Sequence, residues 1–328
     1  MASKTQVAAG PIRLLPVPGR TSMSHVMSTS SQQSPVSHGT GRAYLLLTIT
    51  AACWGGNAIF GRLAVGEISP MLLVSLRWGG AVLLLVIFAN KYIRRDWHII
   101  RAHFRYLIAM GTIGFTAFNS LFYVAAHSTT AVNIGIIQGS MPAMVLMGAF
   151  LFFRTPVSRL QKLGVSVTFL GVIIVGIGGD FTRLTEMALN QGDLIMLFAC
   201  ILYSGYTVGL RNRPETSALG LFTALALAAF LASLPLTAVE ISTGQQMWPG
   251  TEGWIIVALI TLLPSFIAQI SFIRGVEIIG PGRAGAFINL VPIFASVFAV
   301  SYLGEPFEVF HGIALTMVLG GIWLSEKG

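Results

Sequence analysis

Charge is scarce in this chain. Of its 328 residues, 20 are Lys or Arg and 12 are Asp or Glu, about 10% in all, where a soluble globular domain carries roughly 25%. Beside 54% strongly apolar residues and 36 glycines, so few charges exclude a soluble enzyme, a disordered chain and a nucleic-acid binder with a wet basic surface. Cysteine is almost absent too. Cys53 and Cys200, each inside an apolar run, cannot build a disulfide framework and read as small core residues. No HExxH, no GxSxG, no paired Cys/His pattern and no glycine-rich phosphate cradle occurs. The sequence therefore names no catalytic residue, no metal and no cofactor. A bilayer is the solvent that accommodates so much apolar surface, and lipid is the first partner the composition implies.

A helix crossing the hydrocarbon needs about 20 apolar residues. The chain offers ten such runs, about 43–65, 71–90, 106–127, 131–153, 163–178, 194–210, 218–239, 254–273, 284–303 and 309–324. Unpaired backbone groups are not tolerated in lipid, so these runs are helices. With both termini in the cytoplasm, 17 of the 20 Lys and Arg fall on the cytoplasmic side, Arg183 falls outside, and Arg62 and Arg77 stay within spans. The outer loops hold Glu67, Asp180, Glu186, Asp193, Glu240, Glu252, Glu305 and Glu308. The net charge of +8 is thus a topology signal rather than the mark of an anionic partner, and no nucleic acid is expected. Residues 1–42 contain no Asp or Glu and many Ser and Thr. They read as a disordered cytoplasmic tail, as an extension upstream of a start at Met23 or Met27, or as a transit leader.

The chain repeats its punctuation at an offset of about 150 residues. Trp54 and Pro142 are separated by 88 residues, Tyr203 and Pro292 by 89. Pro156 and Pro306 follow those prolines by 14 residues in each half, and Asn119 and Gln269 are 150 apart. The expected units are 43–178 and 193–325. Five spans per unit is an odd number, so the second unit sits upside down relative to the first. Inverted repeats are the architecture of alternating-access carriers, with the substrate near mid-membrane where the halves meet. The expected fold is an all-α integral membrane protein of ten transmembrane helices in two inverted five-helix repeats.

At these residues the sequence resembles the EamA-type transporters of the drug/metabolite transporter superfamily. The resemblance is carried by Trp54-Gly55-Gly56-Asn57, by Ser69-Pro70 leading to Arg77, and by Thr130-Ala131-Val132-Asn133 leading to Pro142. In the second half it is carried by Gly280-Pro281-Gly282-Arg283-Ala284 leading to Pro292, and by Leu303-Gly304-Glu305. The first half departs from the family at Phe153-Arg154-Thr155, where Leu-Gly-Glu is usual. The resemblance implies ten helices, both termini cytoplasmic, and export or exchange of small metabolites at a cell inner membrane, with amino acids a common cargo.

Arg77 is the most informative residue. It lies roughly 9 Å below the outer boundary at 1.5 Å per residue. A cation there costs about 2.5–3.5 kcal/mol on insertion scales and should face the protein interior. It reads either as a clamp for a substrate carboxylate or phosphate, or as a strut on helix-end carbonyls. Arg62, near its helix end, is expected to snorkel. His127 and His311 are expected to be wet and interfacial, and Trp78, Trp248 and Trp254 to be interfacial anchors. No Asp or Glu lies in the central part of a span, so proton-driven export of cations is not expected, and a neutral, zwitterionic or anionic small-molecule substrate is. The polar groups available mid-span are Asn57, Asn119, Asn133, Gln138, Gln269 and Asn289, joined by Tyr123, Tyr203 and Tyr206. Amides supply donors and acceptors without a buried charge, which suits an amino-acid head group. Trp54, Tyr203 and Phe60 could wall the cavity. Pro142 and Pro292 each remove a helix hydrogen bond and read as hinges or static bends. The rival readings are a sugar-phosphate or nucleotide-sugar carrier, which needs more than one buried cation, and a membrane enzyme acting on a lipid or quinone. Oligomeric state is left open by the sequence.

Overall fold

The computed structural model describes residues 38–182 and 189–328. Residues 1–37 of the expected tail, and Arg183 and Glu186 of the expected outer loop, lie outside them. The first helix begins at His38, so the last residues of the expected tail are helical.

Ten helices among the described residues are long and apolar enough to cross a membrane. They are α1 Gly39–Leu63, α2 Pro70–Ala102, α3 Phe104–Ala125, α4 Ala131–Phe153, α5 Arg159–Gly176, α6 Gln191–Asn212, α7 Ala218–Ser242, α8 Thr251–Ile279, α9 Pro281–Leu303 and α10 Val309–Lys327. Hydroxyl and amide side chains satisfy the first amides of several of them: Thr130 caps α4, Ser158 with Gln161 caps α5, and Ser217 caps α7. The start of α1 and the end of α10 lie at the same end of the bundle. Arg283 at the start of α9 donates to the Tyr44 hydroxyl of α1 at 2.6 Å, and Asn289 donates to Glu326 of α10 at 3.0 Å. That end is here the terminal face, and the opposite end the far face.

The two halves, α1–α5 and α6–α10, share their irregularities, not only their helix count. In α3 a π-helical turn spans Thr112–Ala117, and in α8 one spans Thr261–Ile267. Pro264 cannot donate within α8, and Ser265 donates its hydroxyl to the freed Ile260 carbonyl at 2.8 Å. Rather than bending one continuous helix, the paired prolines restart broken ones. Helix α4 breaks at Gly139–Ser140 just before Pro142, and α9 tightens into 3-10 turns over Ala286–Leu290 just before Pro292. Each proline then sits in the first turn of the new segment, where its missing N–H costs nothing.

Helices α4 and α9 also end alike, on a left-handed residue. In α9 that residue is Gly304, φ 65°, and in α4 it is Arg154, φ 52°, the one non-glycine with positive φ among the described residues. A side chain there is strained by about 1–2 kcal/mol. Arg154→Gly is expected to stabilise the protein by about 0.5–1 kcal/mol, seen as a higher thermal midpoint in detergent. An unchanged or lower midpoint would contradict this.

Helices α2 and α7 pack antiparallel and bind each other at both faces. At the far face the Glu240 carboxylate accepts from Ser69 Oγ at 2.7 Å, Leu72 N at 3.0 Å and Met71 N at 3.1 Å, all at the start of α2. At the terminal face Asp96 of α2 accepts from the backbone and hydroxyl of Ser217, the cap of α7. A carboxylate at a helix N-terminus satisfies orphan amides and complements the helix dipole.

Candidate functional site

A cavity of about 630 Å³ lies between the repeats, within the range of small-molecule sites. Its walls contain Trp54, Asn57, Arg77, Asn119, Gln138, Tyr203, Gln269 and Asn289 of the residues expected from sequence, together with Pro142. Pro281, Gly282 and Glu326 line it as well, which places its mouth at the terminal face. The π-helical turns in α3 and α8 come just before Asn119 and Gln269, so each local unwinding shifts the register with which a mid-membrane amide meets the cavity. Trp54 is fixed by its indole N–H, which donates to the Pro264 carbonyl at 3.2 Å, and by its ring against Phe272 at 5.4 Å.

Arg77 reaches the cavity wall although it is only 5% exposed. One nitrogen carries all its internal bonds. Nη1 donates to Asn119 Oδ1 and Tyr123 Oη, both at 2.6 Å, and to Asn57 Oδ1 at 3.2 Å. Tyr123 in turn donates to Asn57 Oδ1 at 3.1 Å, and Asn119 is steadied by donating to Phe115 O at 2.6 Å. The guanidinium also lies over the Trp78 ring, 5.1 Å from its centroid. No carboxylate pairs with Arg77 among the described residues, so its charge is held in place without being neutralised.

Three buried polar atoms on cavity-lining residues lack a hydrogen-bond partner: Arg77 Nε, Trp78 Nε1 and Gln138 Oε1. A buried polar group normally finds a partner, and each exception calls for a reason. The Arg77 guanidinium and the neighbouring Trp78 N–H are donors and the Gln138 oxygen is an acceptor, types that suit a ligand carrying both an oxyanion and an N–H or O–H donor.

Other expected site residues lie elsewhere. Tyr123 stands behind Arg77 as its support, 1% exposed, and Tyr206 packs its ring against Phe115 and Tyr203 behind the wall. Asn133 faces away from the cavity, in the seam of the far face. Its amide donates to Asp193 Oδ2 at 3.1 Å, and its oxygen accepts from His311 Nε2 at 3.1 Å. His311 Nδ1 accepts from the Glu308 amide at 2.9 Å, which leaves the proton on Nε2. Neither His311 nor Asp193 is wet, each being 4% exposed. Arg62 does not snorkel. It donates to the Ala126 carbonyl and sits 3.7 Å from Glu305. Phe60 is absent from the lining. Trp248 and Trp254 are exposed on the bundle surface, whereas Trp78 is buried, stacks on Phe115 at 4.7 Å and lines the cavity. The signal that could have found Trp78 is its depth, since it adjoins Arg77, too far inside its span for an interfacial anchor.

Aromatic rings of Trp54, Trp78, Phe115, Phe118 and Tyr203 cover much of the remaining wall, and the Phe118 and Tyr203 rings touch at 4.9 Å. Tyr203→Ala is expected to weaken transport of cargo with an apolar or aromatic side chain about tenfold, while glycine-sized cargo is nearly unaffected. Equal losses for both cargo types in competition assays would remove Tyr203 from the side-chain pocket.

Comparison with known proteins agrees with this architecture. The EamA-like transporter family matches the chain twice, over residues 41–177 and 190–326, once per half. An uncharacterized transporter of Bacillus subtilis, YyaM, is 24% identical over 297 residues, covering 87% of this chain and 93% of its own. The uncharacterized inner membrane transporter YedA of Escherichia coli K12 is 22% identical over 285 residues, covering 84% and 87%. A crystal structure of an 18% identical protein matches with a TM-score of 0.61, over 86% of this chain and 97% of that one, and shows the same fold.

Proposed function

Because the chain belongs to the EamA-like transporter family, we propose that it exports or exchanges small zwitterionic metabolites, amino acids or their derivatives, across an inner membrane. The cargo binds in the cavity between the repeats and moves by alternating access. One observation carries this reading: the un-neutralised Arg77 beside the unpaired Trp78 indole N–H, with the unpaired Gln138 oxygen on the same wall. A cargo carboxylate would pair with the un-neutralised Arg77 guanidinium, whose planar fork suits carboxylate geometry, and an ammonium or hydroxyl would donate to Gln138. A sugar-phosphate or nucleotide-sugar cargo fits less well, because Arg77 is the one cation in the cavity lining among the described residues. Both termini would face the cytoplasm, as the distribution of Lys and Arg requires.

The test is flux in proteoliposomes with labelled amino acids, competed by their amides and by their deaminated acids. The amide should compete about 100-fold less well than the acid, since it loses the charge-assisted pair with Arg77. If amides and acids compete equally, the site does not read carboxylates. Coupling follows from the same walls. Among the described residues the charged ones lining the cavity are Arg77, which keeps its proton, and the exposed Glu326 at the mouth. Flux is therefore expected to change less than about twofold when a pH gradient is imposed. Strong dependence on that gradient would contradict uncoupled exchange.

A further inference from the structure

The cavity opens at the terminal face, and the two pseudo-symmetric meetings of α4 and α9 differ in the residues that make them. At the far face the start of α4 meets the end of α9. The Glu305 carboxylate accepts from Ala131 N at 2.9 Å and from Val132 N at 3.0 Å, one oxygen for each amide. Arg62 covers this pair, 3.7 Å from Glu305, and the neighbouring Asn133 bridges to Asp193 and His311. The inversion pairs Glu305 with Thr155, and Ala131 with Pro281, both 150 residues apart. At the terminal face the corresponding meeting, of the end of α4 with the start of α9, would have to be made by a hydroxyl-bearing residue and an imino acid that has no N–H. Among the described residues no hydrogen bond joins Thr155 to that helix, and the second segment of α4 and the first of α9 instead line the open cavity, through Met141, Val145, Gly282 and Gly285. By contrast, α2 and α7 are joined by a carboxylate at both faces, as a fixed scaffold would be.

We propose that Glu305 is the gating residue of the far face, and that the lack of a carboxylate at Thr155 makes the empty carrier rest open toward the terminal face. Carboxylate-to-amide bonds are about twice as strong as neutral ones, and an equilibrium between two closures follows the difference between them. Releasing Glu305 lets α4 and α9 separate at the far face while they approach at the terminal face. This inference rests on the carrier reading, but its readout needs no cargo, so it can fail while the cargo assignment stands.

The experiment places one thiol in the cavity, Met141→Cys, in the full chain with Cys53→Ala and Cys200→Ala, reconstituted in vesicles. A membrane-impermeant maleimide is added from one side or the other, and the ratio of the two labelling rates is read. With Glu305 intact, labelling from the terminal face should be at least about tenfold faster. Glu305→Gln keeps the shape and removes the charge, and should lower that ratio at least about threefold. Thr155→Glu supplies the missing carboxylate and should lower it too, by closing the terminal face. A ratio unchanged in both variants overturns the proposal. Should Glu305→Gln fail to fold, Thr155→Glu decides alone, and an unchanged ratio there overturns it equally.

Discussion

Replacing Arg77 with Gln is expected to raise the half-saturating concentration of a carboxylate-bearing cargo at least about 100-fold, while the protein still folds. The magnitude comes from two charge-assisted hydrogen bonds, each worth about 1.5–3 kcal/mol in a dry site. Folding should survive because the internal contacts of Arg77 run through a single nitrogen, Nη1, to Asn57, Asn119 and Tyr123. A glutamine amide can satisfy part of that set, and it no longer buries a charge. Arg77→Lys should fall between the two, since a point charge cannot span both carboxylate oxygens. Initial-rate uptake over a concentration series distinguishes these outcomes. Wild-type kinetics in Arg77→Gln would return Arg77 to the role of a strut.

The second large effect is steric. A Cβ on Gly55 of α1 would lie 2.8 Å from both Ala295 N and Phe294 Cβ, and 3.0 Å from Val291 O. Two of these three atoms belong to the α9 backbone and cannot swing aside. On the other side of α9 a Cβ on Gly135 of α4 would collide with the Ala295 methyl. Ala295 is thus held between two glycines where α1, α4 and α9 cross. Gly55→Val should destabilise the protein by about 3 kcal/mol, the upper range for overpacking, with a large fall in yield and in thermal midpoint. The adjacent Gly56 is a built-in control, because its added Cβ would meet only the Phe60 ring at an ordinary 3.6 Å. Gly56→Ala should change the midpoint by less than about 0.5 kcal/mol in equivalent stability. Equal effects at the two glycines would contradict the close crossing.

Span number, order and the inverted register were readable from residue types, because lipid forces long apolar runs and because prolines and mid-span amides stand out against them. Arg77 was readable for the same reason, since a cation at that depth needs an interior. What could not be read was which face of each helix meets lipid and which meets protein. A helix apolar all round carries no stripe to separate them. Asn133 and Gln138 lie five residues apart in one span, yet the first joins the far-face seam and the second the cavity. Tyr203 and Tyr206 divide in the same way, one on the wall and one behind it. His311 and Asp193 looked wet because they are near helix ends, but Thr129 and the rings of Phe307 and Phe310 pack against them and Asn133 bridges the two. The breaks in α4 and α9 were announced by Pro142 and Pro292. The π-helical turn in α3 had no proline to announce it.

The central claim is that one cavity is offered alternately to the two faces. Trans-stimulation in proteoliposomes tests it most directly. Unlabelled amino acid inside the vesicles should accelerate saturable entry of labelled amino acid several-fold over empty vesicles, because a loaded carrier returns through the same site. Entry that rises linearly with concentration and ignores the internal cargo would contradict the account.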